Sequence, residues 1–103
     1  MATPDSLFLK PQYRAEIIKL LQAHLPQVTA WAYGSRVNGR AHDSSDLDLV
    51  LRSTNLAQIP TAQIQAFRDA LQESNIPILV EARDWATLPQ SFQTEILRQY
   101  IAL

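Results

Sequence analysis

The apolar residues of this chain recur with two different periods, and each period predicts one kind of secondary structure. Apolar positions three or four residues apart are typical of helices with one buried face. Such spacing covers the segment from Pro11 to about His24, the segment from Pro60 or Thr61 to near Asn75, and the last segment, where it places Phe92, Ile96, Leu97, Tyr100 and Ile101 on one side. Pro26 ends the first helix, because proline lacks the N–H that a helix needs. Residues 1–10 are expected to begin as a loose arm.

Shorter apolar segments predict three strands. They are Thr29–Tyr33, a segment from about Asp46 to Arg52, and Ile78–Val80, the last of which places Glu81 near its end. We expect the first two strands to be neighbours in space, and we expect a short helix from Ser35 to about Arg40 in the connection between them. Strands that alternate with helices in this order predict an α/β domain with helices packed on a sheet.

Both glycines of the chain lie in the stretch 34–50, which follows the first strand. Gly34 ends that strand and Ser35 can cap the helix that follows, so the chain turns tightly from a strand into a helix start. Free backbone N–H groups and the positive end of a helix dipole stabilise an anion such as phosphate at such a turn. Arg36 can add a charge-assisted contact to phosphate oxygens, or it can pair structurally with Asp43.

Two carboxylates follow on the second predicted strand. Asp46 and Asp48 are spaced i, i+2, so a strand places both side chains on one face. Two residues of a strand span only about 6.6 Å, so the two charges repel each other and a divalent cation would relieve the repulsion. Mg²⁺ binds through one or two carboxylates together with substrate phosphates. Either motif alone is more often a solvated face or an ordinary turn, but the two in this order predict a site for phosphate and metal.

Composition and charge limit the classes of protein that the chain can belong to. Its 103 residues, of which 47% are hydrophobic, suit one globular domain. The absence of cysteine excludes disulfides and thiolate metal sites. A net charge of −1 argues against direct binding of nucleic acid. Because neither a signal sequence nor a long apolar run is found, we expect a soluble cytoplasmic protein that does not associate with a membrane.

The stretch GSRVNGRAHDSSDLDLV resembles the signature of the minimal nucleotidyltransferase family within the DNA polymerase β-like superfamily. The pattern of that family is Gly-Ser, then Arg-x-x-Gly, then Ser-Asp-x-Asp. The matching positions are Gly34, Ser35, Arg36, Gly39, Ala41, Ser45, Asp46, Asp48 and Leu49. The resemblance implies the polymerase β-like fold, in which helices pack on a mixed β-sheet, with residues 1–103 forming a single small minimal nucleotidyltransferase domain.

The resemblance also implies a reaction and a set of site residues. Nucleotidyl transfer is an in-line displacement at the α-phosphorus of a nucleoside triphosphate such as ATP, with pyrophosphate leaving and two Mg²⁺ ions assisting. In this family Asp46 and Asp48 would bridge both ions. The Gly34–Ser35 turn would hold the β- and γ-phosphates, and Arg36 and Gly39 belong to the same nucleotide-binding motif.

The third carboxylate departs from the family pattern. The family usually has an aspartate on the next strand that completes the metal site, and here the position is occupied by Glu81. Glutamate has one more methylene group, so its carboxylate is less rigidly placed, and a misplacement of about 1 Å can reduce a rate roughly a hundredfold. The interpretations left open are a slower enzyme and one that has lost turnover. Asp84 is a second candidate ligand, although its position suits the cap of the next segment better.

The identity of the acceptor follows only from the resemblance. Small members of the family are commonly antitoxins that neutralise a partner HEPN-domain RNase toxin by transferring AMP to one of its tyrosines, in a hetero-oligomer with that toxin. One alternative is a catalytically weak or inactive antitoxin that neutralises its toxin by binding alone; Glu81 and the lack of a second domain favour it. Another is transfer to a small molecule such as an antibiotic hydroxyl, which normally requires more chain to enclose the substrate.

Overall fold

The computed structural model describes residues 7–103, which form one four-stranded sheet with three α-helices packed on it. The elements in chain order are α1 (Pro11–His24), β1 (Thr29–Tyr33), a 3₁₀ turn (Gly34–Arg36), β2 (Leu47–Arg52), α2 (Thr61–Glu73), β3 (Val80–Asp84), a second 3₁₀ turn (Trp85–Thr87), α3 (Gln90–Arg98) and β4 (Ile101–Ala102). The predicted arm at residues 1–10 and the start of the predicted 1–103 domain fall partly outside the described residues. The predictions for α1, β1 and α2 are confirmed to within two residues.

The sheet has the strand order β3-β2-β1-β4 and contains both kinds of pairing. Strand β1 lies between β2 and β4 and is antiparallel to both, whereas β2 and β3 are parallel. Parallel neighbours require a crossover, and α2 provides it between β2 and β3. The predicted mixed sheet, and the predicted neighbourhood of the first two strands, are therefore confirmed.

The two faces of the sheet differ in what covers them. One face packs against α1 and α2 in the main hydrophobic core, where Phe67 of α2 and Leu49 of β2 are completely buried. The opposite face carries a smaller cluster formed by Tyr33, Val50 and Trp85, with Ile96 of α3 packed on it. Alternate residues of a strand point to opposite faces. The side chains of Tyr33, Asp48 and Val50 are therefore on the α3 side of the sheet.

Three element predictions are wrong, and each has a local reason. The expected helix from Ser35 to about Arg40 is only the 3₁₀ turn Gly34–Arg36. Residues 37–39 form turns, and the positive φ of Gly39 is incompatible with a continuing helix. Strand β3 begins at Val80, so Glu81 lies near its start and not near its end. The last helix ends at Arg98, where the backbone becomes extended, and Ile101 pairs with β1 in a short fourth strand that the helical spacing had concealed.

None of the helices within residues 7–103 combines the length and hydropathy that a membrane span requires.

Asp84 is buried and caps the start of the second 3₁₀ turn, as its position in the sequence suggested. Its Oδ1 accepts a hydrogen bond from the Ala86 N–H at 3.1 Å, and its Oδ2 accepts one from the Ile59 N–H at 2.8 Å. These bonds fasten the end of β3 to the connection that precedes α2. Because both carboxylate oxygens are used by backbone donors and the side chain is buried, Asp84 is not available as a metal ligand.

We expect Asp84→Ala to reduce the free energy of unfolding by about 2 kcal/mol, because it leaves the buried Ile59 N–H without an acceptor. Urea unfolding followed by circular dichroism measures the change. Asp69→Ala is the matched control, since Asp69 is an exposed carboxylate on α2 and its loss should change stability by less than about 0.5 kcal/mol. Equal effects of the two substitutions would show that the Asp84 contacts contribute nothing.

Candidate active site

A row of polar side chains crosses three strands on the α3 side of the sheet. Asp48 of β2 is opposite Tyr33 of β1 and opposite Glu81 of β3 in the strand register. Side chains at directly paired positions lie next to each other on one face. Asp46 comes one residue before β2 begins and is exposed to solvent. The sheet therefore brings Asp48 and Glu81 together, with Asp46 at the nearby end of the strand.

The charges in this row are poorly compensated. Burial raises the pKa of the Asp48 carboxyl above its usual value of 3.8, and the negative charge of Glu81 raises it further. Arg83 opposes this effect, and Asp46 adds a smaller increase in the pKa. A carboxylate that is disfavoured by neighbouring negative charge is stabilised by a cation. The row thus has the electrostatic character of a cation site.

Gly34 is the point at which the turn after β1 meets this row. Its φ angle is +82°, and a Cβ atom at this position would lie 2.8 Å from Oδ2 of Asp48. The turn thus lies directly against the Asp48 carboxylate, and only glycine permits both the backbone angle and the close approach. Ser35 follows in the turn and is half-buried. Gly39 has the same φ of +82°, and no non-neighbouring atom lies within 4 Å of its Cβ position, so only the backbone angle favours glycine there. Its contact with the nucleotide stays a prediction.

Arg36 is not directed at a phosphate site. Its side chain is only 4% exposed, and its guanidinium donates hydrogen bonds to the backbone carbonyls of Phe8, Asp43 and Ser45. The expected contact of Arg36 with phosphate is corrected here, because these carbonyls occupy its donors. The alternative expectation of a link to Asp43 holds for the backbone carbonyl of that residue and not for its carboxylate. Arg36 joins the loop before β2 to the segment before α1.

We expect Arg36→Lys to lower the free energy of unfolding by about 2 kcal/mol, because an ammonium group cannot replace the planar fork that reaches three carbonyls. Denaturant titration measures this change, and ATP affinity measured well below the melting temperature should be retained. Arg40→Lys, in an exposed position of the same loop, is the control. Unchanged stability together with lost ATP affinity would reinstate the phosphate role of Arg36.

The third carboxylate, Glu81, is held by an ion pair. Arg83, two residues further along β3, donates to Oε2 of Glu81 at 2.9 Å. Within residues 7–103, no group of three or more His, Cys, Asp or Glu side chains is arranged to hold a metal ion. The carboxylates of Asp46 and Asp48 are the kind of donor that Mg²⁺ takes together with phosphate oxygens. The donor set therefore fits Mg²⁺ through these two residues, whereas Oε2 of the Glu81 carboxylate is paired with Arg83.

Tyr33 and Arg83 are site residues that the sequence interpretation missed. The Tyr33 hydroxyl is buried and has no hydrogen-bond partner of standard geometry among the described residues, although the Arg83 guanidinium is near it. Burial raises the pKa of Tyr33, the charge of Asp48 raises it further, and Arg83 lowers it. The strand period contained the signal, because Arg83 is two residues from Glu81 and must share its face.

A pocket of about 340 Å³ opens on the α3 side of the Gly34 turn. Its wall includes Tyr33 and Phe92, whose rings meet edge to face at 5.8 Å, and the side chain of Asn38. Gln99 also borders the pocket and donates through Nε2 to the Val37 carbonyl at 3.0 Å. The turn therefore borders both the carboxylate row and a concave surface whose lining includes aromatic, amide and charged residues.

Comparison with known proteins agrees with this geometry. Residues 15–103 match the family model described as Polymerase beta, Nucleotidyltransferase. Over its full length the chain is 34% identical to the probable protein adenylyltransferase MntA of Haemophilus influenzae, of which it covers 89%. A solved toxin–antitoxin structure with AMP-PNP aligns over 85% of this chain and 69% of its own chain, with a TM-score of 0.70 and 20% identity. The solved toxin–antitoxin MntA–HepT structure aligns over 90% of this chain and 70% of its own, with a TM-score of 0.59 and 16% identity.

The two solved structures share the fold with this chain, and the family model covers nearly all of the described residues. The resemblance seen in residues 34–50 is thereby confirmed. The chain belongs to the polymerase β nucleotidyltransferase family.

Proposed function

We propose that the protein is a Mg²⁺-dependent adenylyltransferase that transfers AMP from ATP to a hydroxyl group of a partner protein. The main support is the contact between the Gly34 turn and the Asp48 carboxylate, next to Glu81, in a chain of the nucleotidyltransferase family. The name of the relative from Haemophilus influenzae, a probable protein adenylyltransferase, supports a protein as acceptor.

In the proposed reaction, the acceptor oxygen forms a bond to the α-phosphorus of ATP while the bond to pyrophosphate breaks, and the hydroxyl proton passes to water. Bound Mg²⁺ ions, two in our proposal, would neutralise phosphate charge and lower the pKa of the attacking hydroxyl. Asp46 and Asp48 would hold the ions, and Glu81 would complete the set. The strand pairing on both sides of Asp48 fixes its position, which is the part of catalysis that the fold supplies.

The proposed nucleotide lies across the Gly34 turn. The Gly34–Ser35 backbone would hold the β- and γ-phosphates on the carboxylate side, while the nucleoside would occupy the pocket of about 340 Å³ that also borders Gly34. The aromatic wall at Phe92 suits the flat, apolar faces of a base. AMP-PNP is an analogue of ATP, and its presence in one of the structures with the same fold supports this class of ligand.

The acceptor that we propose is a tyrosine of an HEPN-domain RNase toxin, so that the protein acts as the antitoxin of a two-protein complex. This proposal rests on the family resemblance and on the toxin–antitoxin structures that share the fold. The domain is small, and its carboxylate row is on the sheet face that α3 covers only in part. A large partner can therefore bring its own hydroxyl to the row.

Intact mass spectrometry of a co-purified partner, after incubation with the protein, ATP and Mg²⁺, tests the proposal. We expect a mass gain of one or more AMP units on the partner, located on tyrosine by peptide mapping. The Asp46→Asn variant should form the same complex without the mass gain. A gain that persists in this variant would overturn the role of Asp46, and no gain in any condition would overturn the transferase activity.

One observation favours a second function, in which the protein neutralises its toxin by contact alone. Glu81 is paired with Arg83, and the part of the chain that the structure describes has no preformed three-ligand metal site. The two functions differ in their need for nucleotide. Inhibition of the toxin RNase that requires ATP and Mg²⁺ supports transfer, whereas full inhibition by the Asp46→Asn variant without ATP supports contact alone.

A further inference from the structure

Arg83 is a cationic side chain next to the carboxylate row, on the same face of the sheet. It lies two residues after Glu81 on β3 and opposite Val50 of β2, on the same face as Asp48. Its guanidinium donates to Glu81 at 2.9 Å, and it also lies close enough to Asp48 and Tyr33 to act on their charges. One positive side chain therefore compensates part of the negative charge that a metal ion would otherwise compensate.

We propose that Arg83 is a positioning residue that competes with the divalent cation for Glu81. In the metal-free protein the Arg83 guanidinium holds the Glu81 carboxylate; cation binding displaces the guanidinium, which then contacts the anionic phosphates of the nucleotide. This inference rests on the proposed function, because it takes Asp46, Asp48 and Glu81 as the metal ligands. It assigns to Arg83 the coupling between metal binding and nucleotide binding.

The exposure of the pair makes such an exchange feasible. The Arg83 side chain is 45% exposed and that of Glu81 is 39% exposed. An ion pair as exposed as this one contributes little stability. A divalent cation can therefore displace Arg83 from Glu81 with only a small loss in the affinity of the site for the cation. Arg36 provides the contrast, since its guanidinium is buried among carbonyls and cannot be exchanged in the same way. The Arg83 guanidinium is thus accessible for exchange, whereas that of Arg36 is enclosed.

The chemistry of the released guanidinium determines its next partner. Arginine binds phosphate through two parallel N–H···O bonds, and these charge-assisted bonds are stronger than neutral ones. Arg83 remains on the face that carries Asp48, against which the Gly34 turn packs. A triphosphate on that turn is the anion within its reach. The same residue should therefore weaken metal binding in the absence of nucleotide and strengthen nucleotide binding in the presence of metal.

The first test titrates Mn²⁺, a paramagnetic probe for the oxygen-ligand site, into the nucleotide-free protein and measures free ion by electron paramagnetic resonance. We expect Arg83→Gln to bind Mn²⁺ about 3- to 10-fold more tightly than the wild type, since both a competing ion pair and a nearby positive charge are removed. Arg98→Gln is the control for this nucleotide-free titration, because it breaks another exposed arginine–glutamate pair, with Glu95 on α3. Arg98 borders the pocket proposed for the nucleoside, so this variant is not used in the ATP measurement. Its Mn²⁺ affinity should equal that of the wild type.

A double-mutant cycle shows whether Arg83 acts through Glu81. In the Glu81→Gln background, the further change Arg83→Gln should increase Mn²⁺ affinity clearly less than it does in the wild type, because the charge effect on Asp48 remains but no carboxylate is left for Arg83 to hold. The second test measures ATP affinity by calorimetry at saturating Mg²⁺. Here Arg83→Gln should bind ATP about tenfold more weakly, and Arg83→Lys should recover part of this loss because it retains the charge.

The outcomes separate this inference from the proposed function. Equal Mn²⁺ affinity of the wild type and Arg83→Gln, with both binding the ion, would overturn the inference and leave the metal site intact. An increase that is just as large in the Glu81→Gln background would also overturn it. Failure of every variant to bind Mn²⁺ would overturn the proposed site together with the inference. Binding by Arg83→Gln alone would support the competition strongly.

Discussion

Replacing Asp48 with asparagine is expected to abolish AMP transfer while the domain stays folded. Asp48 is the centre of the polar row, between Tyr33 and Glu81, and its Oδ2 lies against the Gly34 turn. Asparagine has nearly the same shape but lacks the charge that would hold the metal ions. Metal ions contribute several kcal/mol of transition-state stabilisation, and each 1.36 kcal/mol is a factor of ten, so transfer should fall at least about 1000-fold. Single-turnover assays with mass detection measure the rate.

The same substitution should not reduce stability. The raised pKa of Asp48 means that the folded protein keeps this proton at pH values where the unfolded chain has lost it. Stability therefore falls as the pH rises from about 3.8 through the raised value, and the ionised carboxylate is a destabilising group at neutral pH. The asparagine variant, which has no such charge, should melt at the same or a higher temperature at pH 7, and the difference should shrink as the pH falls toward 3.8.

Thermal melting across this pH range, with Asp69→Asn as a control for net charge on the exposed face of α2, distinguishes the two effects of the Asp48 substitution. A variant that is both inactive and clearly less stable at neutral pH would indicate that Asp48 supports the fold and not the chemistry. An active and stable variant would remove Asp48 from the proposed site.

Gly34→Ala is expected to damage both stability and activity. At a φ of +82° an L-residue is strained by about 1 kcal/mol, and the new Cβ would lie 2.8 Å from Oδ2 of Asp48, closer than these atoms can approach. The turn, the carboxylate or both must then move. We expect the free energy of unfolding to fall by about 2–3 kcal/mol. Because a shift of about 1 Å at a reacting site can reduce the rate roughly a hundredfold, transfer should fall by at least that factor.

Gly39→Ala is the matched control for Gly34→Ala. Gly39 has the same φ of +82° but open space around its Cβ position, so its substitution introduces the backbone strain without the contact. It should reduce the free energy of unfolding by about 1 kcal/mol. The difference in the free energy of unfolding between Gly34→Ala and Gly39→Ala then measures the cost of the contact with Asp48. Equal losses of stability would show that Asp48 adjusts freely. The ATP affinity of Gly39→Ala tests separately whether this glycine contacts the nucleotide, as the family motif implies.

Much of the fold could be predicted because its signals are local. The apolar period of 11–24 and the prolines that flank it determined α1 at both ends. The alternation in β1 and β2 placed Asp48 on the face opposite the main core. The order of Gly34 and the two aspartates predicted a site for phosphate and metal, and the resemblance of this stretch to a known family implied a nucleotidyltransferase. Strand β4 escaped detection since two residues are too few for a period, and Ile101 also fitted the helical spacing.

The sequence by itself determined the resemblance to the family, and it placed α1, β1, β2 and α2 to within two residues, because these depend on backbone period and on a motif within one stretch. Only the tertiary structure decided what the long charged and polar side chains contact. Arg36 binds the carbonyl of Phe8, 28 residues away, and Asp84 accepts from Ile59, 25 residues away. Asp48 lies between Tyr33 and Glu81 in a row that exists only once three strands pair. The contacts of such a side chain depend on which distant residues the fold packs beside it, and the local periodicity of the sequence contains no information about those residues.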